Sequence, residues 1–253
     1  MKQLEKLLFL TYFQMRSKYR KTLAGFVWVI AYPIISFIIQ ATVFDKILKL
    51  NIQNYPLFLL SGLLPWVFIS QSVTSFASSL VHSREVLLTF KVHPNYIIGA
   101  NVLDNFFNYL VATLILIVAL MGLGMMSFSL PQLVLFLLST LVLLVFGFVL
   151  TMIISFLHVF YRDIQFVSTF LLGLAFFVTP IFYSRDYLEA SFPWILKINL
   201  FYPLIALFQN SLYELNTEAW LSYMGISLAI VAGLGLMLAF LFNRKMKDFY
   251  INV

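Results

Sequence analysis

Residues 160–183 read FYRDIQFVSTFLLGLAFFVTPIFY: a charged pair, Arg162-Asp163, precedes an apolar run of about twenty residues that Thr179-Pro180 interrupts near its end. A helix rises about 1.5 Å per residue, so a run of this length crosses the roughly 30 Å of hydrocarbon in a bilayer. A charged side chain at the centre of that layer costs roughly 2.5–3.5 kcal/mol. The pair therefore marks one membrane face, the proline marks the approach to the other, and the segment predicts a transmembrane helix.

The composition of the whole chain agrees with a membrane protein. Hydrophobic residues make up 62% of the 253 residues and charged residues only 10%, whereas soluble domains carry about 25% charged residues. The net charge of +6 would suggest a nucleic-acid partner in a soluble protein. Here Lys/Arg-rich cytoplasmic flanks explain it, so we expect no nucleic acid. The absence of cysteine excludes disulfides and thiolate metal sites.

The apolar runs predict an all-α membrane protein with six transmembrane helices. The predicted spans are residues 24–44, 55–80, 96–121, 132–157, 164–183 and 219–242. Within the second span, Gly62-Leu63-Leu64-Pro65-Trp66 predicts loosened first turns, because proline removes a backbone donor.

Two segments outside the spans carry patterns of their own. Residues 1–23 hold six Lys or Arg and apolar residues at helical spacing, which predicts an amphipathic helix on the cytoplasmic headgroups; a solvated basic lead-in is the alternative. This stretch lacks the features of a signal peptide. Residues 184–218 mix charges with aromatics and are divided by Pro193 and Pro203. They predict a pair of short amphipathic or re-entrant helices.

The distribution of Lys and Arg predicts the orientation. Twelve lie in the N-terminus, residues 81–95, the 160–163 turn and the C-terminal tail 243–253; four lie in the loops on the opposite side. Cytoplasmic loops carry the excess of Lys and Arg. We therefore expect a multi-pass membrane protein with both termini in the cytoplasm.

A polar stripe runs along the third predicted helix. Its members are spaced i, i+3, i+4 and i+7, so they share one face: Asn101, Asp104, Asn105 and Asn108. Lipid rejects such a face, which must look into the bundle. The stripe is either the wall of a hydrophilic path or a packing seam in which Asp104 pairs with a basic residue of the N-terminal helix.

The sequence offers little to support catalysis or cofactor binding. It contains no GxxxxGK phosphate loop, and His82, His93 and His158 stand without a carboxylate at metal-ligand spacing. We therefore predict no catalytic, cofactor-binding or metal site in this chain.

Aromatic residues are abundant, with 28 Phe, 13 Tyr and 4 Trp. Tyr and Trp at span ends are typical of the interfacial belt. A minority are candidates for stacking on sugar rings in a channel or gate: Trp66, Tyr183, Trp194 and Tyr202.

The chain resembles the membrane subunit of type-2 ABC exporters for bacterial cell-surface polysaccharide, namely the O-antigen, capsule and teichoic-acid permeases. The matching residues are Tyr19-Arg20 leading to Gly25, Trp28 and Pro33; Gly62-Leu63-Leu64-Pro65-Trp66; Phe160-Tyr161-Arg162-Asp163-Ile164; and Thr179-Pro180-Ile181-Phe182-Tyr183. The length, the six spans, the basic N-terminal helix and the divided segment 184–218 agree too, so the resemblance covers the whole chain. The family usually has Asn-Pro where this chain has Tyr32-Pro33 and Tyr202-Pro203.

The resemblance implies a homodimer with a channel between the copies and two ATPase subunits on the cytoplasmic side, which alone bind ATP and magnesium. Segment 81–95 would sit on the ATPase through His82, Arg84, Glu85, Lys91 and His93. The same resemblance makes Arg162 and Asp163 a second inner-face contact or a lock between helices, and residues 184–218 an outer gate. It implies a lipid-linked polysaccharide as the cargo and the bacterial inner membrane as the location.

Two other functions are compatible with the sequence. A type-2 permease could carry another cargo, such as a drug or a lipid. A membrane enzyme or scaffold without an ATPase would instead need an essential acid or histidine in the membrane, for which Asp104 and the three histidines are the candidates.

Overall fold

The structure is a computed structural model that describes residue 11 and residues 25–44, 52–90, 92–127 and 129–253. All regular secondary structure in these ranges is helical. The helix predicted over residues 1–23 lies almost entirely outside them. The helices are α1 (Gly25–Thr42), α2 (Tyr55–Phe76), α3 (Ser79–His82), α4 (Arg84–Phe90), α5 (Pro94–Gly122), α6 (Leu130–Phe160), α7 (Ile164–Val178), α8 (Asp186–Ser191), α9 (Pro193–Ile198), α10 (Tyr202–Phe208), the π-helix Gln209–Tyr213 and α11 (Thr217–Asn252).

Four of these helices are long and apolar enough to cross a membrane: α2, α5, α6 and α11. The two other helices that coincide with predicted spans are shorter: α1 has 18 residues and α7 has 15. The chain is thus an all-helical membrane protein, and the count of six spans stays a prediction.

Helix α2 forms the centre of the bundle, with most of its residues buried. It packs against α1, α5, α6, α7 and α10. The predicted loosening around residues 62–66 is wrong, because the helix runs unbroken through Pro65. The burial of this segment on all sides holds a backbone that a proline alone would disfavour. Tertiary packing has overridden local preference.

Helix α7 ends five residues earlier than predicted. Its last residue is Val178, and Thr179 is extended, with ψ at 131°. Pro180 explains the difference, because a proline pushes the residue before it out of the helical region. Residues 179–183 therefore form an irregular segment that closes one end of the bundle.

The ends of the helices fall into two groups. At one end, the ring of His93 lies 5.8 Å from that of Phe242, and Ser155 Oγ donates to the Phe76 carbonyl at 2.6 Å. We call this the basic end; it holds α3, α4 and the turn between α6 and α7. At the other, Asn54 Nδ2 donates to the Met125 carbonyl at 2.6 Å. We call this the acidic end, because residues 184–218 there carry four acids and two bases.

Residues 184–218 form more pieces than the predicted pair of helices. Helices α8 and α9 have no buried residue, whereas every residue of α10 is buried. The π-helix continues α10 and contacts α2 and α6. The segment thus has an outer exposed part and an inner part that is buried within the bundle.

Helix α11 extends past the predicted end of the sixth span at residue 242. Its 36 residues correspond to about 54 Å, well beyond the hydrocarbon layer. In the predicted tail, Phe249 is fully buried and stacks on Phe156 with 5.3 Å between ring centroids. The last turns of α11 therefore pack on α6 at the basic end.

Candidate functional site

The surface around α4 is an exposed part of the basic end. Leu87 is fully buried and anchors the helix. His82, Arg84 and Glu85 are all exposed, and Phe90 leaves 72% of its surface open. Lys91 lies outside the described residues. A short helix held by one apolar residue, with charged and apolar side chains facing outward, is suited to contact another protein.

His93 links this surface to the bundle. Its Nδ1 accepts from the backbone N–H of Asn95 at 3.3 Å and caps the first turn of α5. Burial lowers the pKa of His93 below its ordinary 6.5. The neutral imidazole is the form that can act as this acceptor, so the predicted docking residue also has a structural role.

Arg162 and Asp163 occupy an exposed turn between α6 and α7. The turn is closed by its backbone, since the Asp163 carbonyl accepts from Phe166 and Val167 N–H groups at 3.0 Å. Both charged side chains remain on the surface of the basic end. The structure therefore brings the two predicted inner-face contacts to the same end as α4.

The polar stripe of α5 faces the bundle interior. Asp104, Asn105 and Asn108 are buried, and Asn101 is half-buried. Asn105 Nδ2 donates to Ser72 Oγ at 2.8 Å and to the Phe68 carbonyl at 3.1 Å, both on α2. At Asn105 the stripe thus acts as a polar seam between two helices, which supports the packing alternative.

Two hydrogen bonds and one close backbone contact hold the irregular segment 179–183, and we call this set of contacts the clasp. Gln209 Nε2 donates to the Pro180 carbonyl at 2.8 Å, and Tyr55 donates to that of Phe182 at 3.0 Å. At Gly62 an added Cβ would lie 2.9 Å from the carbonyl oxygen of Ile181, so glycine permits backbone-to-backbone contact here. These contacts tie the segment to α2 and the π-helix.

The four candidate channel aromatics do not form one surface. Trp66 is buried between the rings of Phe176 and Phe201, at 5.9 and 5.3 Å. Tyr202 is also buried, whereas Trp194 is 58% exposed. The half-buried Tyr183 donates to the Phe177 carbonyl at 2.9 Å. Within one copy, only Trp194 offers an open aromatic face.

A cluster that the sequence did not indicate joins α10, α11 and the start of α8. The hydroxyls of Tyr202 and Tyr223 lie 3.0 Å apart, and Arg185 donates to Tyr223 at 3.4 Å. Arg185 also lies 3.9 Å from Glu189. Burial raises the pKa of Tyr202 above its ordinary value, so its hydroxyl stays neutral. Arg185, Tyr202 and Tyr223 are 17 to 38 residues apart in sequence, and no local motif connects them.

A second unpredicted feature is a 650 Å³ pocket on the acidic end, which we call the acidic-end pocket. It lies between the start of α2, helix α8 and the end of the π-helix. Its walls include Gln53, Asp186, Tyr187, Tyr213 and Glu214. Burial, aided by the Glu214 carboxylate, raises the pKa of Tyr213. The pocket thus offers carboxylate acceptors beside the neutral phenol of Tyr213.

The described residues hold no group of three or more His, Cys, Asp or Glu placed to bind a metal ion.

Comparison with known proteins gives a family and several relatives. A family model described as "ABC-2 type transporter" matches residues 5–213. An "O-antigen export system permease protein RfbA" of Myxococcus xanthus is 29% identical over 203 residues, which cover 79% of this chain and 77% of the relative. Two proteins of the same name from Klebsiella pneumoniae are 28% and 30% identical, over 86% and 87% of this chain and 85% and 83% of their own lengths.

Proposed function

Because this chain belongs to the ABC-2 type transporter membrane family, we propose that it is the transmembrane subunit of an ATP-driven exporter for a lipid-linked polysaccharide. One observation carries the proposal: relatives named as O-antigen export permeases match it over 77–85% of their lengths. The resemblance seen in the sequence is thereby confirmed at the level of the family. A drug or lipid cargo is not favoured.

ATP hydrolysis belongs, in this proposal, to a separate subunit. The chain has no phosphate-binding loop, so the partner would bind ATP and magnesium. We place the ATPase on the basic end, against His82, Arg84 and Glu85, with Lys91 and His93 beside them. The exposure of His82, Arg84 and Glu85 around the buried Leu87 supports this placement.

The proposal makes the basic end cytoplasmic, in the inner membrane of a bacterium. Its support is the excess of Lys and Arg on that side. In this arrangement α1 and α7 cross the membrane along with the four longer helices. The helix predicted over residues 1–23 would lie on the cytoplasmic headgroups.

Two copies would pair about a two-fold axis with the channel between them. Helix α7 supports this arrangement, because Phe166, Phe170 and Phe177 each leave 65–74% of their surface open in one copy. Such a face can be covered by lipid or by a second chain. The predicted channel needs a partner copy, because three of the four candidate aromatics are buried or half-buried within a single copy.

Residues 184–218 would act as the gate on the outer side. Nucleotide-driven closure of the ATPases would push on residues 81–95, and the bundle would transmit this push to the acidic end. Helices α8 and α9 are the exposed part of the gate segment and so the part best placed to move.

The docking surface can be tested by co-purification with the ATPase expressed alongside the chain. We expect Arg84→Glu to abolish or strongly weaken recovery of the ATPase, because the exposed side chain would present the opposite charge at the contact. Lys247→Glu is the matched control, since it reverses a second exposed charge of the basic end outside α4. Equal recovery with both variants would contradict the placement of the ATPase on α4.

The cargo can be tested in a strain whose own polysaccharide permease has been deleted. We expect the full-length chain, with its ATPase, to restore surface polysaccharide, and Arg84→Glu to fail. Restoration without any ATPase, or ATPase recruitment without export of any lipid-linked polysaccharide, would overturn the proposed function.

A further inference from the structure

We propose that the acidic-end pocket binds neutral or amino-sugar residues of the glycan and disfavours anionic ones, so that it contributes to cargo selection. This inference rests on the proposed function and narrows its substrate class.

The pocket has the size and construction of a small-molecule site. Its 650 Å³ volume lies within the range of about 300–1,000 Å³ typical of ligand pockets. Three segments far apart in sequence build it, namely residues 52–58, 184–191 and 213–214. Tyr213 joins two of them, because its hydroxyl donates to the Gln53 carbonyl at 2.9 Å. This bond and the edge contact with Phe58 at 5.2 Å fix one wall.

The carboxylates supply acceptors for sugar hydroxyls. Asp186 Oδ2 accepts from Ser184 Oγ at 2.9 Å, which orients the group, and 79% of the Asp186 side chain remains exposed. Arg185 lies 3.9 Å from the other oxygen. A carboxylate can accept about four hydrogen bonds, so Asp186 keeps capacity for a ligand. Glu214 is exposed on the opposite wall.

Tyr187 supplies an open aromatic surface on the same pocket. It is 57% exposed, and its ring can pack against the apolar C–H face of a sugar while its hydroxyl stays hydrated. Carboxylates, an amide and a tyrosine together suit a ligand that has both hydroxyl donors and an apolar face. A pyranose ring has both.

Charge decides which sugars are favoured. Two carboxylates line the pocket, and its described lining contains no Lys or Arg. Arg185, next to the lining, lies 3.9 Å from Asp186 and offsets part of that charge, so Glu214 supplies the larger share of the negative field. Residues 184–218 as a whole carry four acids and two bases, so the local field favours cations and repels anions. A chain rich in uronic acid or in phosphodiesters would meet this repulsion on leaving the channel. Neutral and amino-sugar chains would not.

Binding to the full-length chain in nanodiscs, without the ATPase, tests the inference. Three hexasaccharides of equal length serve as probes in a saturation-transfer NMR titration: a neutral mannan oligomer, a chitosan oligomer and an oligogalacturonate. We expect the first two to bind and the anionic one to bind at least about tenfold more weakly. Equal binding of all three, or preferred binding of the oligogalacturonate, would overturn the proposal.

The double variant Asp186→Asn with Glu214→Gln assigns the selectivity to the pocket. We expect it to weaken chitosan binding by about tenfold or more, because each carboxylate removed takes away a charge-assisted hydrogen bond. It should also narrow the gap between the neutral and anionic probes. Glu218→Gln is the matched control, because this exposed glutamate of the acidic end lies outside the pocket lining. An equal effect of the control would overturn the assignment.

The outcomes separate this inference from the function on which it rests. If no hexasaccharide binds while the chain still recruits its ATPase and restores polysaccharide export, the pocket assignment fails and the exporter function stands. If recruitment and export fail as well, the proposed function has failed.

Discussion

Gly62 is the residue at which two backbones approach most closely in the clasp around residues 179–183. An added Cβ would meet the carbonyl oxygen of Ile181 at 2.9 Å and its Cα at 3.2 Å. Backbone atoms cannot rotate away as the end of a flexible side chain can. The sequence showed a glycine followed by an apolar stretch and a proline, and nothing local indicated that position 181 would lie against it.

Gly62→Ala should therefore lower stability by about 1–3 kcal/mol, the usual range for overpacking. The apparent midpoint of thermal unfolding in detergent, followed by tryptophan fluorescence, measures the effect. Gly225→Ala makes the same chemical change on α11, where an added Cβ has nothing within 4 Å. It should be neutral or slightly stabilising, because alanine favours a helix. Matching midpoints for the two variants would contradict the close contact.

His93 gives a prediction for pH. Burial lowers its pKa in the folded chain below the 6.5 expected when unfolded. The unfolded state therefore binds the proton first as pH falls. The free energy of unfolding contributed at this site should be constant above about pH 7. It should decrease as pH falls below 6.5 towards the folded pKa, where protonation also removes the acceptor for the Asn95 N–H.

His93→Asn should flatten this part of the pH dependence, since asparagine can accept the same cap bond without titrating. His93→Ala should flatten it as well but lower stability at neutral pH by about 0.5–2 kcal/mol, the usual cost of a lost cap. Denaturation midpoints at pH 5.5 and pH 8 measure both effects. An unchanged slope in the asparagine variant would assign the pH dependence to another group.

At the scale of elements, the long apolar runs predicted where the long helices lie. Where each helix ends depended on its surroundings in the fold. Charges and prolines predicted that residues 184–218 are divided into short pieces, and no helix that lies wholly within them is longer than seven residues; that these pieces do not cross the membrane stays a prediction. Pro65 predicted loosened helical turns, but packing keeps α2 helical at this position. Pro180, by contrast, does end α7. The difference lies in surroundings: Pro65 is enclosed by neighbouring helices, and Pro180 follows the last turn of α7.

The candidate sites show the same division. The i, i+3, i+4, i+7 spacing was sufficient to place the polar stripe of α5 on an inward face. The interruption between the second and third predicted apolar spans was sufficient to place α4 at a surface. The acidic-end pocket could not be predicted in this way. Its walls come from Gln53, Asp186 and Glu214, which only the folded bundle brings together.

The seam between α5 and α2 gives a prediction at this scale. Asn105→Asp should lower stability by about 1–3 kcal/mol, because a carboxylate cannot donate to the Phe68 carbonyl and would be buried facing it. Asn101→Asp places the same group on the same stripe at a half-buried position and should cost less. Thermal unfolding in detergent compares the two. An equal or larger loss at Asn101 would contradict the seam.

The alternative interpretation of the stripe has its own test. Asp104→Asn removes a charge while nearly preserving shape. Lost assembly would support a packing role for the whole stripe. Normal assembly with lost export would instead support a hydrophilic path along α5.

At the scale of the whole molecule, the contacts sort the described helix ends into a basic and an acidic group. The absence of cysteine makes the chain a ready background for labelling with a membrane-impermeant thiol reagent. Tyr187→Cys and Glu218→Cys, both exposed at the acidic end, should react in intact spheroplasts. Arg162→Cys and Lys247→Cys, exposed at the basic end, should react only after lysis. Labelling of a basic-end cysteine before lysis would overturn the orientation.

The clasp at residues 179–183 divides the acidic end into two unequal parts. One part is held to the central helix by a backbone contact and by hydrogen bonds from Tyr55 and Gln209, so it must travel with that helix as a single body. The other part, α8 and α9, meets α11 through Arg185, which precedes α8 and donates to the Tyr223 hydroxyl at 3.4 Å. Asn199, at the end of α9, also donates to Thr179 Oγ1 at 3.0 Å and to the Val178 carbonyl at 3.4 Å. If this end of the bundle widens during a transport cycle, those hydrogen bonds and the Arg185 contact would have to break before the short helices could swing away from the central helix.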